Sequence, residues 1–223
     1  MTQMKMNDPI VKKYKIILKT GLHIWAGKWG LKIGGIDTEV IKNPLTGEPY
    51  IPWSSIKWKM RALLEMKYGD YSIEEKEKSW KKVIEYWSSI NPDNSSNIAK
   101  AFWMANKNTK IASRILVSDF ELTEDWKKIF KEKWKVDFFE DKSENTVPRF
   151  LKWTANPRHI ERVPAGVEFE WTIVLTPVEG ENGITKEELE KLLNEWLELL
   201  QQLGLGGGVS RWNWKIEIKE IEW

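Results

Sequence analysis

The sequence predicts an α+β fold whose strands and helices follow the order β-α-β-β-α-β. Three observations carry that expectation. Residues 11–19 (VKKYKIILK) alternate polar and apolar around Ile16 and Leu18, the period of a half-buried strand. Residues 168–176 (EFEWTIVLT) have the β-branched content of another strand. Thr185 and Glu188 form a capping box that opens a helix with Leu189, Leu192, Leu193, Trp196, Leu197 and Leu200 on one side.

The remaining elements fall between these in order. After the first strand a glycine-bearing stretch runs from Gly21 to Gly35. Asn43-Pro44-Leu45-Thr46-Gly47 then supplies the turn chemistry of a short hairpin ending near Pro52. Ser54 or Ser55 is expected to cap a helix whose Ile56, Met60, Leu63 and Leu64 form an apolar stripe. Ser72 with Glu75 matches a second capping box, and the run to Tyr86 reads as a surface helix with solvated charges. Arg114 to Leu122 reads as a strand, and Thr123 starts a short helix through Trp126 and Phe130. Asp137 to Arg162 shows no sustained period and is expected to be a projecting loop or hairpin. The last helix ends at Gly204, where glycine can adopt the left-handed cap conformation, and the loop GLGGGVSR leads to a final strand from Lys215 to Ile221. The pattern is that of a ferredoxin-like core with insertions, a single domain over residues 1–223.

Composition narrows the chemistry. The 223 residues include no cysteine, which excludes disulfides, thiolate metal sites and a cysteine nucleophile. The N-terminal stretch lacks the apolar run of a secretory signal, and no segment has the apolar length to cross a bilayer. A cytoplasmic protein without a membrane partner is expected. Asn94-Ser95-Ser96 is read as a polar loop rather than a glycosylation site. With 35 basic against 33 acidic residues the net charge is +2, so binding to nucleic acid would have to rest on local patches.

Two such patches stand out. Lys57, Lys59 and Arg61 fall in the first turns after Ser54-Ser55, where free N–H groups, the helix dipole and cations together suit a phosphate. The competing reading is a solvated basic face, since exposed Lys and Arg are ordinary. In GLGGGVSR, Gly206, Gly207 and Gly208 would let backbone amides approach a phosphate that Arg211 could pair with in a bidentate way. The competing reading is a tight turn. Neither this loop nor Gly27-Lys28 matches the nucleotide-binding G-x-x-x-x-G-K-[ST] pattern. Imidazole chemistry has His23 and His159 to draw on, far apart in the chain and read by default as hydrogen-bonded or surface residues. Asp37 is one of 33 acidic residues, and composition does not single it out.

Five motifs, in order along nearly the whole chain, resemble one family. They are GLHIWAGKWGLKIGGID at 21–37, NPLTGEPYIPWSSIKWKMRALLE at 43–65, ENTVPR at 144–149, ANPRHIERVPAG at 155–166 and GLGGGVSRWNWKIEIK at 204–219. The family is the repeated backbone subunit of the type III-A CRISPR interference complex, the Csm complex, within the RAMP superfamily. The resemblance implies an RRM-like core with a lid insertion at about 68–112 and a thumb-like insertion at about 134–164, copies of which stack along a guide RNA. It implies guide-RNA contacts at His23, Ser54, Ser55, Lys57, Lys59, Arg61, Gly206, Gly207, Gly208 and Arg211, and RNA binding at Arg149, Arg158 and Arg162 of the thumb. It places the catalytic residue at Asp37, acting with a divalent metal, usually Mg2+, on target single-stranded RNA. Further copies of the chain and other Csm subunits would be its partners.

Such contacts would grip the backbone without reading sequence, as suits a system in which base pairing to a guide supplies specificity. A metal near Asp37 would stabilise charge on phosphorus while the ribose 2′-OH attacks, leaving a 2′,3′-cyclic phosphate. The alternative is a scaffold that binds and spaces RNA without cutting it. A third reading is a guide-processing endonuclease relying on His23.

The chain departs from the family at glycine positions now held by Trp25, Trp53, Trp58, Trp103, Trp153, Trp212 and Trp214, among 15 tryptophans in all. An indole cannot take glycine's positive-φ conformations and blocks close backbone approach. Base stacking is one explanation. The preferred one is a UGA codon that the source organism reads as glycine. An intact mass from the native host that matches fifteen tryptophans would rule that out.

Overall fold

The structure, a computed structural model, describes residues 5–29, 36, 38–78, 81–88, 96–102, 104–105, 110–133, 138–146, 156–180, 183–205 and 215–222. In chain order the elements are β1 (Lys5–Met6), β2 (Ile10–Leu18), β3 (Trp25–Trp29), β4 (Thr38–Val40), α1 (Trp53–Tyr68), β5 (Tyr71–Lys78), β6 (Lys81–Ser88), α2 (Asn97–Phe102), β7 (Met104–Ala105) and β8 (Lys110–Ile111). They continue with β9 (Ile115–Val117), β10 (Glu121–Leu122), α3 (Glu124–Lys133), β11 (Glu140–Thr146), β12 (Asn156–Arg162), β13 (Glu168–Leu175), β14 (Val178–Glu179), α4 (Lys186–Leu203) and β15 (Ile216–Ile221).

The chain falls into two compact units. One takes residues 1–12, 54–118 and 172–200, and the other takes 13–53, 119–171 and 201–223. The principal strand order is β10-β13-β2-β15, with β9 also paired to β13. Strand β15 lies antiparallel to β2, from Ile216 opposite Leu18 to Ile221 opposite Lys13. Strand β15 thus neighbours β2, and β13 is the other neighbour of β2. This is the arrangement that a β-α-β-β-α-β chain produces, so the expected ferredoxin-like α+β class is the observed one.

Alternation explains the second of those strands. Phe169, Trp171, Ile173 and Leu175 of β13 are buried while the residues between them are not. In the unit containing residues 119–171, Trp171 stacks on Phe120 at 4.1 Å between centroids and lies 5.2 Å from Tyr14. The other face is polar: Lys13 pairs with Glu170 at 3.0 Å and Lys15 with Glu168 at 2.9 Å. Such exposed pairs contribute at most about 1 kcal/mol each, so the apolar face sets the register.

Three sequence expectations need correction. The single strand expected over 114–122 is two, β9 and β10, because at Ser118 the side chain takes over as acceptor and Phe120 turns to another partner. The Ser118 hydroxyl accepts the Thr172 N–H at 2.9 Å, and Phe120 exchanges backbone hydrogen bonds with Ile51 at 2.9 and 3.0 Å. Helix α1 starts at Trp53, one residue before the serines, and Asp119 Oδ1 accepts the Trp53 N–H at 2.7 Å, so its cap comes from a distant carboxylate. The charged helix expected over 72–86 is an antiparallel pair, β5 with β6, running from Tyr71 opposite Ser88 to Lys78 opposite Lys81. Its second half holds Val83, Ile84, Tyr86 and Trp87, residues that favour a pleated strand and outweigh the local Ser72-Glu75 cap signal.

Other expectations hold. Glu188 Oε2 accepts the Thr185 N–H at 2.9 Å, and Thr185 Oγ1 accepts the Glu188 N–H at 3.3 Å, a capping box. Gly204 ends α4 at φ 71°. Asn43 builds the predicted turn: its side-chain Oδ1 accepts the Leu45 N–H at 2.9 Å, its C=O accepts the Gly47 N–H at 2.8 Å, and Gly47 sits at φ 72°. The segment from 137 to 162 contains a hairpin, β11 with β12, in the order β11-β12-β4-β3. Among the described residues, no helix is long and apolar enough to cross a membrane.

Candidate nucleic-acid interface

The first turns of α1 sort its basic residues by burial. Lys57 turns inward, where its ammonium donates to Ser113 Oγ at 2.7 Å and to the Ile115 carbonyl at 2.9 Å. Burial pulls its pKa below the usual lysine value. Arg61 donates to Glu65 Oε1 at 2.7 Å, and Glu65 is 1% exposed, so this i,i+4 pair is largely desolvated. Lys59 makes no hydrogen bond or ion pair with the described residues. Ser54 and Ser55 occupy the first turn with Trp53, and Trp53 and Trp58 are exposed at 49% and 69%. Trp171 and Trp196, by contrast, are core residues.

The hairpin has two chemically distinct faces, because successive side chains of a strand alternate. On one face Arg162 donates to Glu140 Oε2 at 2.8 Å and Lys142 pairs with Glu144 at 2.8 Å. Arg158, opposite Glu144 in the ladder, is exposed and makes no hydrogen bond or ion pair with the described residues. A Cβ on Gly21 would come within 2.9 Å of the Arg162 guanidinium, so glycine there leaves room for that side chain.

On the opposite face lie Asp141, Ser143, His159 and Glu161. Glu161 is 5% exposed, and its carboxylate accepts the Val40 N–H at 2.8 Å and the Lys42 ammonium at 2.7 Å. Lys42 also sits 4.1 Å above the Phe139 ring. The Glu161 carbonyl lies 2.7 Å from His23 Nδ1, which therefore carries the proton in that contact. Glu161 thus ties together β12, β4 and the segment bearing His23. Strand β4 is held a second time by the parallel bridge between Thr38 and Ile160.

A family model described as RAMP superfamily matches residues 15–211. The chain belongs to the RAMP superfamily. Within it, this RAMP protein is similar to the CRISPR system Cms endoribonuclease Csm3 of Methanothermobacter thermautotrophicus, with 35% identity over 93% of this chain and 82% of that protein. The protein of the same name from Methanocaldococcus jannaschii is 33% identical over 100% of this chain and 83% of its own length. Among solved structures, the Csm3-Csm4 subcomplex in the type III-A CRISPR-Cas interference complex matches 96% of this chain and 77% of that one, with a TM-score of 0.50 and 24% identity. That last likeness concerns the fold alone.

Of the sequence-predicted sites in this RAMP chain, Ser54, Ser55, Lys57, Lys59 and Arg61 share helix α1, and Arg158 and Arg162 share strand β12. Asp37, Arg149, Gly206, Gly207, Gly208 and Arg211 lie outside the described residues. Among the described residues no group of three or more His, Asp or Glu side chains could hold a divalent metal, and the Glu161 carboxylate is engaged by Val40 and Lys42. The described residues therefore do not by themselves fit a protein-held ion. The pairing of His159 with Asp141, whose Oδ2 is 2.9 Å from His159 Nδ1, was hidden from sequence reading: the two stand 18 residues apart and meet through the hairpin register.

Proposed function

We propose that this chain is a guide-RNA-binding backbone subunit of a type III CRISPR interference complex and that it cleaves bound target RNA endonucleolytically at Asp37. The observation that supports this most is 35% identity across 93% of the chain to a protein whose name is that of a CRISPR endoribonuclease. In this reading the RNA backbone is held by Ser54, Ser55 and Lys59 at the start of α1 and by Arg158 on the hairpin. Gly206 to Gly208, Arg211, Arg149 and His23 belong to the same proposal. Lys57, Arg61 and Arg162 reach RNA by exchanging their present partners for phosphate, so their contribution is smaller. Other copies of the chain and other Csm subunits are the protein partners, in keeping with the fold shared with the Csm3-Csm4 subcomplex.

Cleavage by the target's own 2′-hydroxyl needs no protein nucleophile, which agrees with a chain free of cysteine. A divalent cation, Mg2+ in the first instance, is part of the proposal and rests on Asp37. The experiment is reconstitution of the complex around Asp37→Ala. Target RNA bound with unchanged affinity but left intact is the expected result. Cleavage at the wild-type rate would leave the chain a non-catalytic scaffold. Chelation by EDTA tests the cation separately, through loss of cutting with binding retained.

A further inference from the structure

We propose that the cavity at the C-terminal end of α1 is a guanine-nucleotide site, in which Asp70 reads the base and Lys191 pairs with the phosphate. The cavity has a volume of about 600 Å³, the size of a small-molecule site, and its wall includes Tyr68, Asp70, Asn97, Glu188 and Lys191. The buried Ile98 and Leu192 complete it on the apolar side. All of these residues belong to the unit of residues 1–12, 54–118 and 172–200. Ser54 and Ser55 stand at the other end of the same helix, so this site is separate from the proposed grip on the RNA backbone and does not depend on cleavage.

Local folding builds the wall. Gly69 ends α1 at φ 66°, and the Asp70 N–H donates to the Glu65 carbonyl at 2.9 Å, which closes the helix and fixes the backbone of Asp70. The Ser96 hydroxyl donates to Asp70 Oδ2 at 2.6 Å while its oxygen accepts the Ala99 N–H at 3.2 Å, so the residue that caps α2 also holds the carboxylate. Glu188 Oε1 accepts the Asn97 side-chain N–H at 3.0 Å. The backbone hydrogen bond from Thr185 holds the Glu188 carboxyl below its usual range, so at neutral pH it is ionised and only accepts. The Asn97 amide therefore turns its nitrogen to Glu188 and keeps its carbonyl oxygen as an acceptor.

The unused groups of that wall define the ligand. Asp70 Oδ1, the Asn97 carbonyl and the Lys191 ammonium make no hydrogen bond or ion pair with the described residues, and Asp70 Oδ2 keeps a lone pair beside the one Ser96 uses. Acceptors with one cation call for a ligand that has neighbouring donors and a negative charge. Among the RNA bases guanine alone presents two adjacent donors, N1–H and N2–H, on one edge, and they match the two oxygens of a carboxylate. Adenine and cytosine set a donor beside an acceptor there, and uracil flanks its single donor with acceptors. Tyr68 is 47% exposed, and its hydroxyl donates to Glu195 Oε2 at 2.5 Å, which holds the ring for a base to stack on. An arginine side chain of a partner protein would also suit Asp70, but it would bring a second cation to the wall that carries Lys191. A nucleotide brings the phosphate that Lys191 lacks.

The test is calorimetric titration of the full chain with guanosine 5′-monophosphate (GMP), adenosine 5′-monophosphate (AMP), guanosine and arginine amide, repeated on Asp70→Asn and Lys191→Gln. GMP is expected to bind about 30-fold more tightly than AMP, the discrimination of one bidentate pair. Lys191→Gln should weaken GMP about fivefold and leave guanosine unchanged, a selective loss that general damage to the fold would not produce. Asp70→Asn should erase the preference for GMP over AMP. A uridine hexamer, and the same hexamer with one internal guanosine, are then added as competitors. Displacement of GMP by the second alone identifies guanine within an RNA strand as the natural source, and displacement by neither identifies a free nucleotide.

Absence of saturable GMP binding at about 1 mM would overturn the proposal, as would equal affinity for GMP and AMP. So would a GMP preference that Asp70→Asn retains, equal weakening of GMP and guanosine in Lys191→Gln, or displacement by both hexamers. Binding of arginine amide without GMP would overturn it in favour of a basic segment of a partner protein. Thermal melting of both variants shows whether they are folded, and the ligand series on the wild-type chain decides base preference without them.

Discussion

Helices α1 and α4 occupy equivalent places in the two β-α-β halves, and they are held in opposite ways. Helix α4 closes its own N-terminus with Thr185 and Glu188 and buries a wholly apolar stripe of Leu189, Leu192, Leu193, Trp196 and Leu200. Helix α1 takes its cap from Asp119, 66 residues away, and buries Glu65 beside Ile56, Met60, Leu63 and Leu64. The remote cap makes the start of α1 depend on another part of the chain, as expected of the helix proposed to meet RNA.

The largest test of this contrast is Arg61→Ala. It leaves the Glu65 carboxylate buried without its guanidinium and should cost about 3 kcal/mol, read from urea midpoints. A loss below about 0.5 kcal/mol, the size of an ordinary surface change, would show that the charge of Glu65 is answered elsewhere.

Asp119→Ala comes next, at about 1 kcal/mol for loss of a cap. Thr185→Ala should cost less, because Glu188 still accepts the Thr185 N–H. Equal losses would erase the distinction between a remote and a local cap. Amide hydrogen exchange at Trp53 and Glu188 locates each effect.

The smallest effect concerns acid. The backbone hydrogen bond from Thr185, with later contributions from Asn97 and Lys100, holds the Glu188 carboxyl below its usual value of 4.5. A carboxylate whose pKa falls on folding stabilises the native state above the unfolded value and loses that contribution as pH falls through the folded one. The advantage of wild type over Glu188→Gln should therefore be constant from neutrality down to about pH 4.5 and then shrink. A gap that persists at pH 2 would mean that the cap does not depend on the charge.

The same contrast marks where the sequence was legible. Helix α4, its cap and Gly204 were readable because every signal lies within one run of residues. The strands β2 and β13 were readable because one face of each is buried, which imposes a period of two. The hairpin over 71–88 was misread because a four-residue cap signal was weighed above strand-favouring residues ten positions further on. The α1 cap was misplaced because the acceptor on Asp119 is brought to Trp53 by the chain's return, not by any local spacing.

Family membership, fold class, the capped fourth helix and the pool of basic residues were determined by the sequence alone, since each depends on local pattern or on matching motifs in order. Which cations are already paired, which carboxylate anchors β4, and that Asp141 faces His159 were decided by tertiary structure. Strand register brings together residues whose separation in the chain carries no information about their distance in space. The electrostatic role of a side chain is set by what lies within a few ångströms of it.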